Sequence, residues 1–449
     1  MSAQALASAA ATPGDFAAAR VQMGLSLGWH IVIACFGVGM PATTALAEWC
    51  SIRRGDEVLA ALARRWAKAM GVLFAVGAVS GTILSFEMGV LWPGMMNLYG
   101  QVIGLPFTLE GFAFFVEAIF LGIYLYAWDR LPPRRHVLTA VPVCLAGIAS
   151  AFFVVTANAW MNQPRGFDLD RGRVVQVRPW EAMFNPAAWP QATHMVLAAF
   201  MVSGFGMAAV YAVALLRGRR DRYHRLGFGL PFTIAAVITP VQIYVGDWAA
   251  RFLADNQPIK LAAMEGVYRT ARNVPLHLGG VYRDGQLHGA LEIPSGLSLL
   301  AHWDPSSPIL GLETAAPADR PPVNVVHWSF QVMVAIGFGL LVLGAWCGLV
   351  RWRRGRLPRS RIFFALSALA GVGAPVALEA GWITTEVGRQ PWIVWGRMRS
   401  AEAVTSVPNL VVGLVVVALV YLALTAAVVF VLRRIARAPL APQEQEEGP

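Results

Sequence analysis

The sequence predicts an all-α integral membrane protein with about nine transmembrane helices packed in bundles. Hydrophobic residues make up 57% of the 449 residues, and charged residues make up only 14%. The apolar residues are also gathered in stretches of about 20 residues or more, the length that a helix needs to cross a bilayer. These stretches lie near residues 22–48, 70–92, 107–128, 137–160, 191–216, 228–250, 326–350, 362–386 and 409–432.

Arginine clusters indicate how these helices are oriented. They follow every second apolar stretch, as at Arg53 and Arg54 after the first and at Arg433 and Arg434 after the ninth. Cytoplasmic loops carry an excess of basic residues, so we expect the N-terminus outside and the C-terminus inside. The net charge of +10 reflects this topology, and no nucleic-acid partner is expected.

The connecting segments divide the chain into four parts. Residues 1–250 hold the first six predicted helices, and residues 326–435 hold the last three. Residues 251–325 form one long outer loop, and loops of this length usually carry function. Residues 436–449 are predicted to form a polar cytoplasmic tail.

Two pairs of carboxylates lie inside apolar stretches. Glu379 and Glu386 are seven residues apart in the eighth stretch, and Glu110 and Glu117 have the same spacing in the third. Seven residues are about two helical turns, so each pair shares one helix face. Ionisable groups persist inside a membrane mainly where they line a pathway, bind a charge or hold a cofactor. Both pairs therefore indicate buried chemistry, and Glu110 and Glu117 are suited to passing protons along a helix.

Three potential iron ligands lie in the outer half of the predicted bundle. His30 is in the first stretch, His194 is near the outer end of the fifth, and Met333 is in the first turns of the seventh. A histidine and a methionine on separate helices are typical axial ligands of an electron-transferring haem. His194 and Met333 have the matched depth that one iron requires. His30 is a candidate ligand of a second iron, and Glu386 or Glu110 of a third.

Other interpretations of the same residues remain open at this point. A transmembrane histidine often forms a hydrogen bond between helices, a methionine usually packs, and Lys260 and Glu265 alone are typical of a solvated loop pair. From spacing alone, a haem protein and a proton-coupled transporter without redox cofactors are comparable interpretations. Transporters are often built from internal repeats, and the absence of an evident repeat counts modestly against a transporter. A haem-containing scaffold without oxygen chemistry does not account for Glu110 and Glu117.

Seven sets of motifs occur in order along residues 18–435. They are Arg20-Val-Gln22 with Gly28-Trp-His30, Leu109-Glu-Gly111 with Phe115-Val-Glu117, Trp128-Asp-Arg-Leu131, Ala157-Asn-Ala-Trp-Met-Asn-Gln-Pro164, Ala192-Thr-His194, Gln257-Pro-Ile-Lys260 with Glu265, and Glu379-Ala-Gly-Trp382 with Gly388-Arg-Gln-Pro-Trp392. Together they resemble subunit I of the cytochrome bd-type quinol oxidases, and the last run is highly specific. The outer loop is short for that family. In this respect the chain resembles the short-loop branch, which includes cyanide-insensitive oxidases.

The resemblance implies a cofactor set. His194 and Met333 look like the axial ligands of a low-spin haem b. His30 and Glu386 look like the ligands of two active-site haems, a high-spin haem b and a haem d or a further haem b, and Glu110 looks like a carboxylate at the oxygen-reducing iron. The side chains that resemble residues packed around these haems are Arg20, Glu379, Trp382 and Arg389.

The resemblance also implies an activity and partners. Glu117, Ser150 and Asn158 resemble parts of a proton path from the cytoplasm. The outer loop would bind ubiquinol or menaquinol through Gln257, Lys260 and Glu265. Quinol would be oxidised at the outer face and O2 reduced to water with cytoplasmic protons, which generates a proton motive force without a separate pump. The expected partners are a second large subunit and a small single-helix subunit, in the bilayer of a bacterial inner membrane.

Overall fold

The computed structural model describes residues 12–438 as a mainly helical protein. Its helices are α1 Pro13–Arg54, α2 Glu57–Leu91, α3 Pro93–Tyr126, α4 Pro133–Asn162, α5 Pro179–Met183, α6 Ala188–Leu216, α7 Arg222–Asn256, α8 Pro258–Glu265, α9 Gly296–His302, α10 Val323–Arg354, α11 Arg361–Val387, α12 Ser400–Ala403 and α13 Leu410–Arg437. Within residues 12–438, nine helices are long and apolar enough to cross a membrane, which confirms the predicted fold class. Residues 439–449 of the predicted tail lie outside the described residues.

The long helices extend beyond the apolar stretches that predicted them. In α1, the Thr12 hydroxyl accepts a hydrogen bond from the Asp15 N–H at 3.1 Å, and Pro13 occupies the first turn. This cap satisfies one of the free N–H groups at the helix start. The helix ends where Gly55 adopts a left-handed conformation with φ 63°. Apolar stretches mark only the part suited to lipid, whereas caps set where a helix begins and ends.

Helix α6 lies at the centre of the bundle and α13 lies at its edge. In the most apolar 18-residue segment of α6, 56% of the residues are buried inside the protein, compared with 11% in the corresponding segment of α13. Around α6, Phe205 packs edge-on against Phe232 of α7, and Phe363 of α11 completes the aromatic cluster. Side chains carried by the packed faces of α6, α7 and α11 are therefore held in a well-packed part of the molecule.

The long loop is a folded cap on one end of the bundle. It runs from residue 257 to residue 322 because α7 continues through Asn256 and α10 begins at Val323, so its first boundary lies six residues later than predicted. Buried Leu261, Met264 and Leu312 give the cap an apolar core of its own. We call this end of the bundle the loop end.

Short antiparallel strand pairs complete the loop end. The cap contains β3 Leu276–Leu278 paired with β6 Leu291–Ile293, and β4 Val281–Arg283 paired with β5 Gln286–His288. Two further pairs are β1 Asp168–Asp170 with β2 Arg173–Val175, and β7 Trp392–Val394 with β8 Met398–Arg399. The segments after α4, α7 and α11 meet at this end, since the Trp395 N–H donates to the Met161 carbonyl at 2.9 Å and the Gln257 amide donates to the Asn162 carbonyl at 2.7 Å.

Candidate functional site

A charged pair with a buried arginine forms where α11 ends. Glu386 lies in the last turn of α11, and Arg389 follows three residues later and forms an ion pair with it. The Asn158 amide of α4 donates a hydrogen bond to the other carboxylate oxygen. Arg389 is only 2% exposed, and its Nε and Nη1 atoms have no hydrogen-bond partner among the described residues. Two unpaired donors of a buried guanidinium point to an anionic group such as a carboxylate.

Lys260 of α8 lies next to this pair rather than in solvent. It is 1% exposed, and its Nζ donates to Asn162 Oδ1 at 2.5 Å. The neighbouring Gln257 amide donates to the Asn162 carbonyl at 2.7 Å. Burial, followed by the nearby positive charge of Arg389, lowers the pKa of Lys260 to about 7, although Glu386 acts in the opposite direction. The interpretation of Lys260 as a solvated loop residue is therefore wrong.

Glu265, at the other end of α8, is also buried. It is 3% exposed, its Oε2 atom has no hydrogen-bond partner among residues 12–438, and burial raises its pKa to about 8. Helix α8 begins with Pro258 and ends at Gly266, whose φ of 68° favours glycine. A short, rigidly capped helix thus presents two buried titratable groups, and the interpretation of Glu265 as solvated is also wrong.

His194 and Met333 each lie against a glycine of a neighbouring helix. A Cβ atom on Gly246 of α7 would lie 3.3 Å from His194 Cε1, and a Cβ atom on Gly381 of α11 would lie 2.7 Å from Met333 Sδ. The glycines therefore leave room for these two side chains. His194 Nδ1 is buried without a hydrogen-bond partner in the described part of the chain, which is unfavourable unless another group binds there.

His30 of α1 has one ring nitrogen fixed by a serine. The Ser80 hydroxyl of α2 donates to the Gly77 carbonyl at 3.0 Å, and its oxygen lies 2.8 Å from His30 Nδ1. The Ser80 oxygen therefore accepts a hydrogen bond from His30 Nδ1–H, which leaves the Nε2 lone pair free to bind a metal. A Cβ atom on Gly81 would lie 3.2 Å from His30 Cε1, so the ring packs closely against α2.

The two carboxylates of α3 have different surroundings. Glu110 accepts a long hydrogen bond of 3.3 Å from Ser150 of α4. Glu117 is buried, and its Oε1 lies close to Gly37 of α1 and Gly147 of α4, where added Cβ atoms would be 3.7 Å and 3.6 Å away. Ser150 thus contacts Glu110 rather than Glu117, because Glu117 faces the glycines where α1 meets α4.

Glu379 and Trp382 pack against α1, whereas Arg20 does not join them. A Cβ atom on Gly28 would lie 3.1 Å from Glu379 Oε2 and 3.8 Å from Trp382. Glu379 Oε1 is buried without a partner among the described residues. Arg20 is exposed, and its guanidinium lies over the Phe16 ring. Glu379 and Trp382 therefore contact the same part of α1, whereas Arg20 lies on the surface of the described residues.

Sequence reasoning missed Ser80 and Asn162. Asn162 lies four residues after Asn158 in the motif Ala157-Asn-Ala-Trp-Met-Asn-Gln-Pro164, and this helical spacing would have placed both amides on one face. Ser80 carries no sequence signal of its own. A buried cluster of Glu48, His136 and Tyr124 was also missed.

In that cluster the Glu48 carboxylate contacts His136 Nδ1 at 2.6 Å and accepts from the Tyr124 hydroxyl at 2.7 Å. His136 Nε2 donates to the Tyr124 carbonyl at 2.9 Å. Every side-chain polar group of these residues has a partner, so the cluster stabilises the contact of α1, α3 and α4.

A family model described as Cytochrome bd terminal oxidase subunit I matches residues 18–440. The chain belongs to this family. It is 36% identical to the putative cytochrome bd menaquinol oxidase subunit I of Bacillus subtilis, over 93% of this chain and 96% of the relative. It is 30% identical to the cytochrome bd ubiquinol oxidase subunit 1 of the same organism, over 93% of this chain and 92% of that one.

A solved structure agrees with these relatives. The bd oxidase from Geobacillus thermodenitrificans superposes with a TM-score of 0.89 and 41% sequence identity, over 94% of this chain and 98% of that chain. The resemblance that the motifs indicated is therefore confirmed over nearly the whole length. Family membership also disfavours the transporter interpretation, because the matched family consists of terminal oxidases.

Proposed function

We propose that this chain is the haem-bearing catalytic subunit of a membrane quinol:oxygen oxidoreductase. The observation that carries the proposal is the meeting of Lys260, Glu386 and Arg389 at the loop end, within a chain that belongs to a terminal oxidase family. Two buried cations, one of which has unpaired donors, are costly beside a single carboxylate unless they serve a bound group. The arrangement joins a quinol segment to a cofactor pocket.

The residues fit haem as the cofactor. His194 offers a buried nitrogen without a partner beside Gly246, and Met333 offers its sulfur beside Gly381. We propose that these two hold a low-spin haem b, because a histidine–methionine pair gives a six-coordinate iron. Haem, when bound, supplies one-electron transfer and, where a coordination position is open, a place for O2.

We assign two further ligand roles on the same grounds. His30 would bind iron through Nε2, which Ser80 leaves unprotonated. Glu386 would bind the other active-site haem, with Asn158 and Arg389 fixing its carboxylate. The free Nε and Nη1 donors of Arg389 suit a haem propionate. These positions accept a high-spin haem b and either a haem d or a further haem b.

Quinol oxidation is assigned to α8. Lys260 and Glu265 supply a cation and a carboxyl group whose pKa values, about 7 and about 8, lie near neutral. Groups with such pKa values suit proton transfer at physiological pH. We propose that Gln257 and Lys260 orient a ubiquinol or menaquinol and that Glu265 accepts its proton, which leaves on the outer side.

Oxygen reduction consumes protons, and α3 would deliver them. Glu117 and Glu110 lie about two turns apart on one helix face, and Ser150 donates to Glu110. We propose that cytoplasmic protons pass from Glu117 to Glu110, where O2 is reduced to water. Uptake on one side and release on the other would generate a proton motive force without a pump. A second large subunit, a small single-helix subunit and a bacterial inner membrane complete the proposal.

A reduced-minus-oxidised absorption spectrum of the purified membrane protein tests the cofactors. We expect b-type bands, and a red-shifted chlorin band if haem d is present. His194→Ala and Met333→Leu should each remove the low-spin signal, whereas Lys260→Ala or Glu265→Ala should slow quinol oxidation and retain every haem band. A properly assembled protein without haem bands would refute the oxidase and favour the proton-coupled transporter.

A further inference from the structure

Two asparagines of α4 connect the quinol segment to the carboxylate of α11. Lys260 Nζ donates to Asn162 Oδ1 at 2.5 Å, and Asn162 Nδ2 lies 3.2 Å from Asn158 Oδ1. Asn158 Nδ2 then donates to Glu386, which is also paired with Arg389. The connection runs through two amides from a buried ammonium to a carboxylate whose side chain is 21% exposed.

The hydrogen bonds of this connection all run in one direction. Each amide accepts with its oxygen from the Lys260 side and donates with its nitrogen towards Glu386. Reversing the Asn162 amide would turn its NH2 group towards the Lys260 ammonium, which carries donors only. The charges at the two ends therefore fix the orientation of both amides.

Asn162 is held from several sides. It is 0% exposed, its Nδ2 also donates to the Asn158 carbonyl at 3.0 Å, and its own carbonyl accepts from Gln257. Lys260 is further confined because a Cβ atom on Gly388 would lie 3.0 Å from its Cγ. If Asn162 served only to terminate α4, its hydrogen bond to the Asn158 carbonyl would be sufficient. Its contacts with Gln257 and Lys260 would then have no purpose.

We propose that Asn162 is a positioning residue that couples the quinol segment at Lys260 to the orientation of Glu386. The proposal rests on the proposed function, since it takes Lys260 as a quinol group and Glu386 as a haem ligand. Partners of a metal ligand, and the groups behind them, change the affinity and the electronic properties of the metal site. A change at the quinol segment should accordingly reach the haem that Glu386 holds.

Two substitutions separate the two sides of Asn162. Asn162→Leu removes the acceptor for Lys260 and the donor to Asn158. Asn162→Asp keeps an acceptor for Lys260, but it loses the donor and adds a negative charge. We expect Asn162→Leu to raise the KM for quinol about tenfold, since a hydrogen bond to a charged group is lost. Asn162→Asp should leave that KM within about threefold of wild type and still alter the haem.

The haem measurement is a redox titration of the purified, membrane-extracted oxidase. Both variants should shift the midpoint potential of the Glu386 haem by about 59 mV, which corresponds to a tenfold change for a one-electron couple. The His194/Met333 haem should stay at its wild-type potential. The matched control is Gln163→Leu, because Gln163 is the next residue and, within residues 12–438, its side-chain amide donates only to the Asn256 carbonyl, at 3.3 Å. This variant should change neither KM nor potential.

A double-mutant cycle distinguishes positioning from the loss of a charge. Lys260→Met should shift the potential of the Glu386 haem in the wild-type background, and that shift should largely vanish in the Asn162→Leu background, because coupled residues are non-additive. Additive shifts would overturn the proposal, since a charge acting through space does not need Asn162. A raised KM with an unchanged Glu386 haem in Asn162→Leu would overturn it as well.

The wild-type protein separates this inference from the proposed function. If the wild type lacked haem or did not oxidise quinol, the proposed function itself would fail. If the wild type has both properties and Asn162→Leu and Asn162→Asp match Gln163→Leu in every measurement, the coupling is wrong and the oxidase stands. Should Asn162→Leu fail to assemble, Lys260→Met and Asn162→Asp still decide the outcome.

Discussion

Replacing Glu265 by glutamine should remove the rise of kcat/KM between pH 7 and pH 9 that deprotonation of Glu265 causes in quinol oxidation. Burial raises the pKa of Glu265 to about 8, and only the deprotonated carboxylate accepts a proton from quinol. A group with this pKa is about 9% deprotonated at pH 7 and about 91% at pH 9. Its contribution to kcat/KM should therefore rise about tenfold over that interval, and Glu265→Gln removes it.

Lys260 titrates nearby and must be separated from this effect. Its pKa is about 7, so its charge is lost over part of the same interval. The ratio of wild-type to Glu265→Gln kcat/KM, measured at each pH, cancels the Lys260 contribution because both proteins retain it. We expect this ratio to rise about tenfold from pH 7 to pH 9 and then to level off.

The assay is steady-state quinol oxidation in detergent or vesicles from pH 6 to pH 9.5. Glu292→Gln is the matched control, because Glu292 is a carboxylate of the same cap whose side chain is 60% exposed, and its ratio should stay flat. A flat ratio for Glu265→Gln, with all haem bands retained, would refute the role of Glu265 as proton acceptor.

Two other substitutions test the haem ligands. Gly381→Ala should displace Met333 and weaken the low-spin haem band, since the new Cβ atom would lie 2.7 Å from the Met333 sulfur. The control Gly337→Ala should retain the band, because a Cβ atom on Gly337 would meet nothing within 4 Å. An unchanged band in Gly381→Ala would argue against Met333 as a ligand. Ser80→Ala should weaken haem binding at His30 about tenfold or more, because the Nδ1 acceptor is lost; haem content and a redox titration measure this, and wild-type values for both would exclude Ser80 as the residue that orients His30.

The sequence was sufficient for those features that depend on composition and order along the chain. Apolar stretches predicted nine helices because lipid requires a fixed length of apolar residues, and the structure confirms them within residues 12–438. Ordered motifs predicted the family, which the matched family model confirms. The extent of each helix was less predictable, since α1 and α7 continue through polar residues that a hydropathy pattern does not count.

The surroundings of individual side chains were decided by tertiary structure. Lys260 and Glu265 are polar residues of a loop by sequence, yet the cap folds back and buries both. Asn162 contacts Lys260, which lies 98 residues further along the chain, and Asn158 contacts Glu386 across 228 residues. Local sequence determines helices because their hydrogen bonds are local, whereas the burial and partners of a polar side chain depend on which distant segments pack against it.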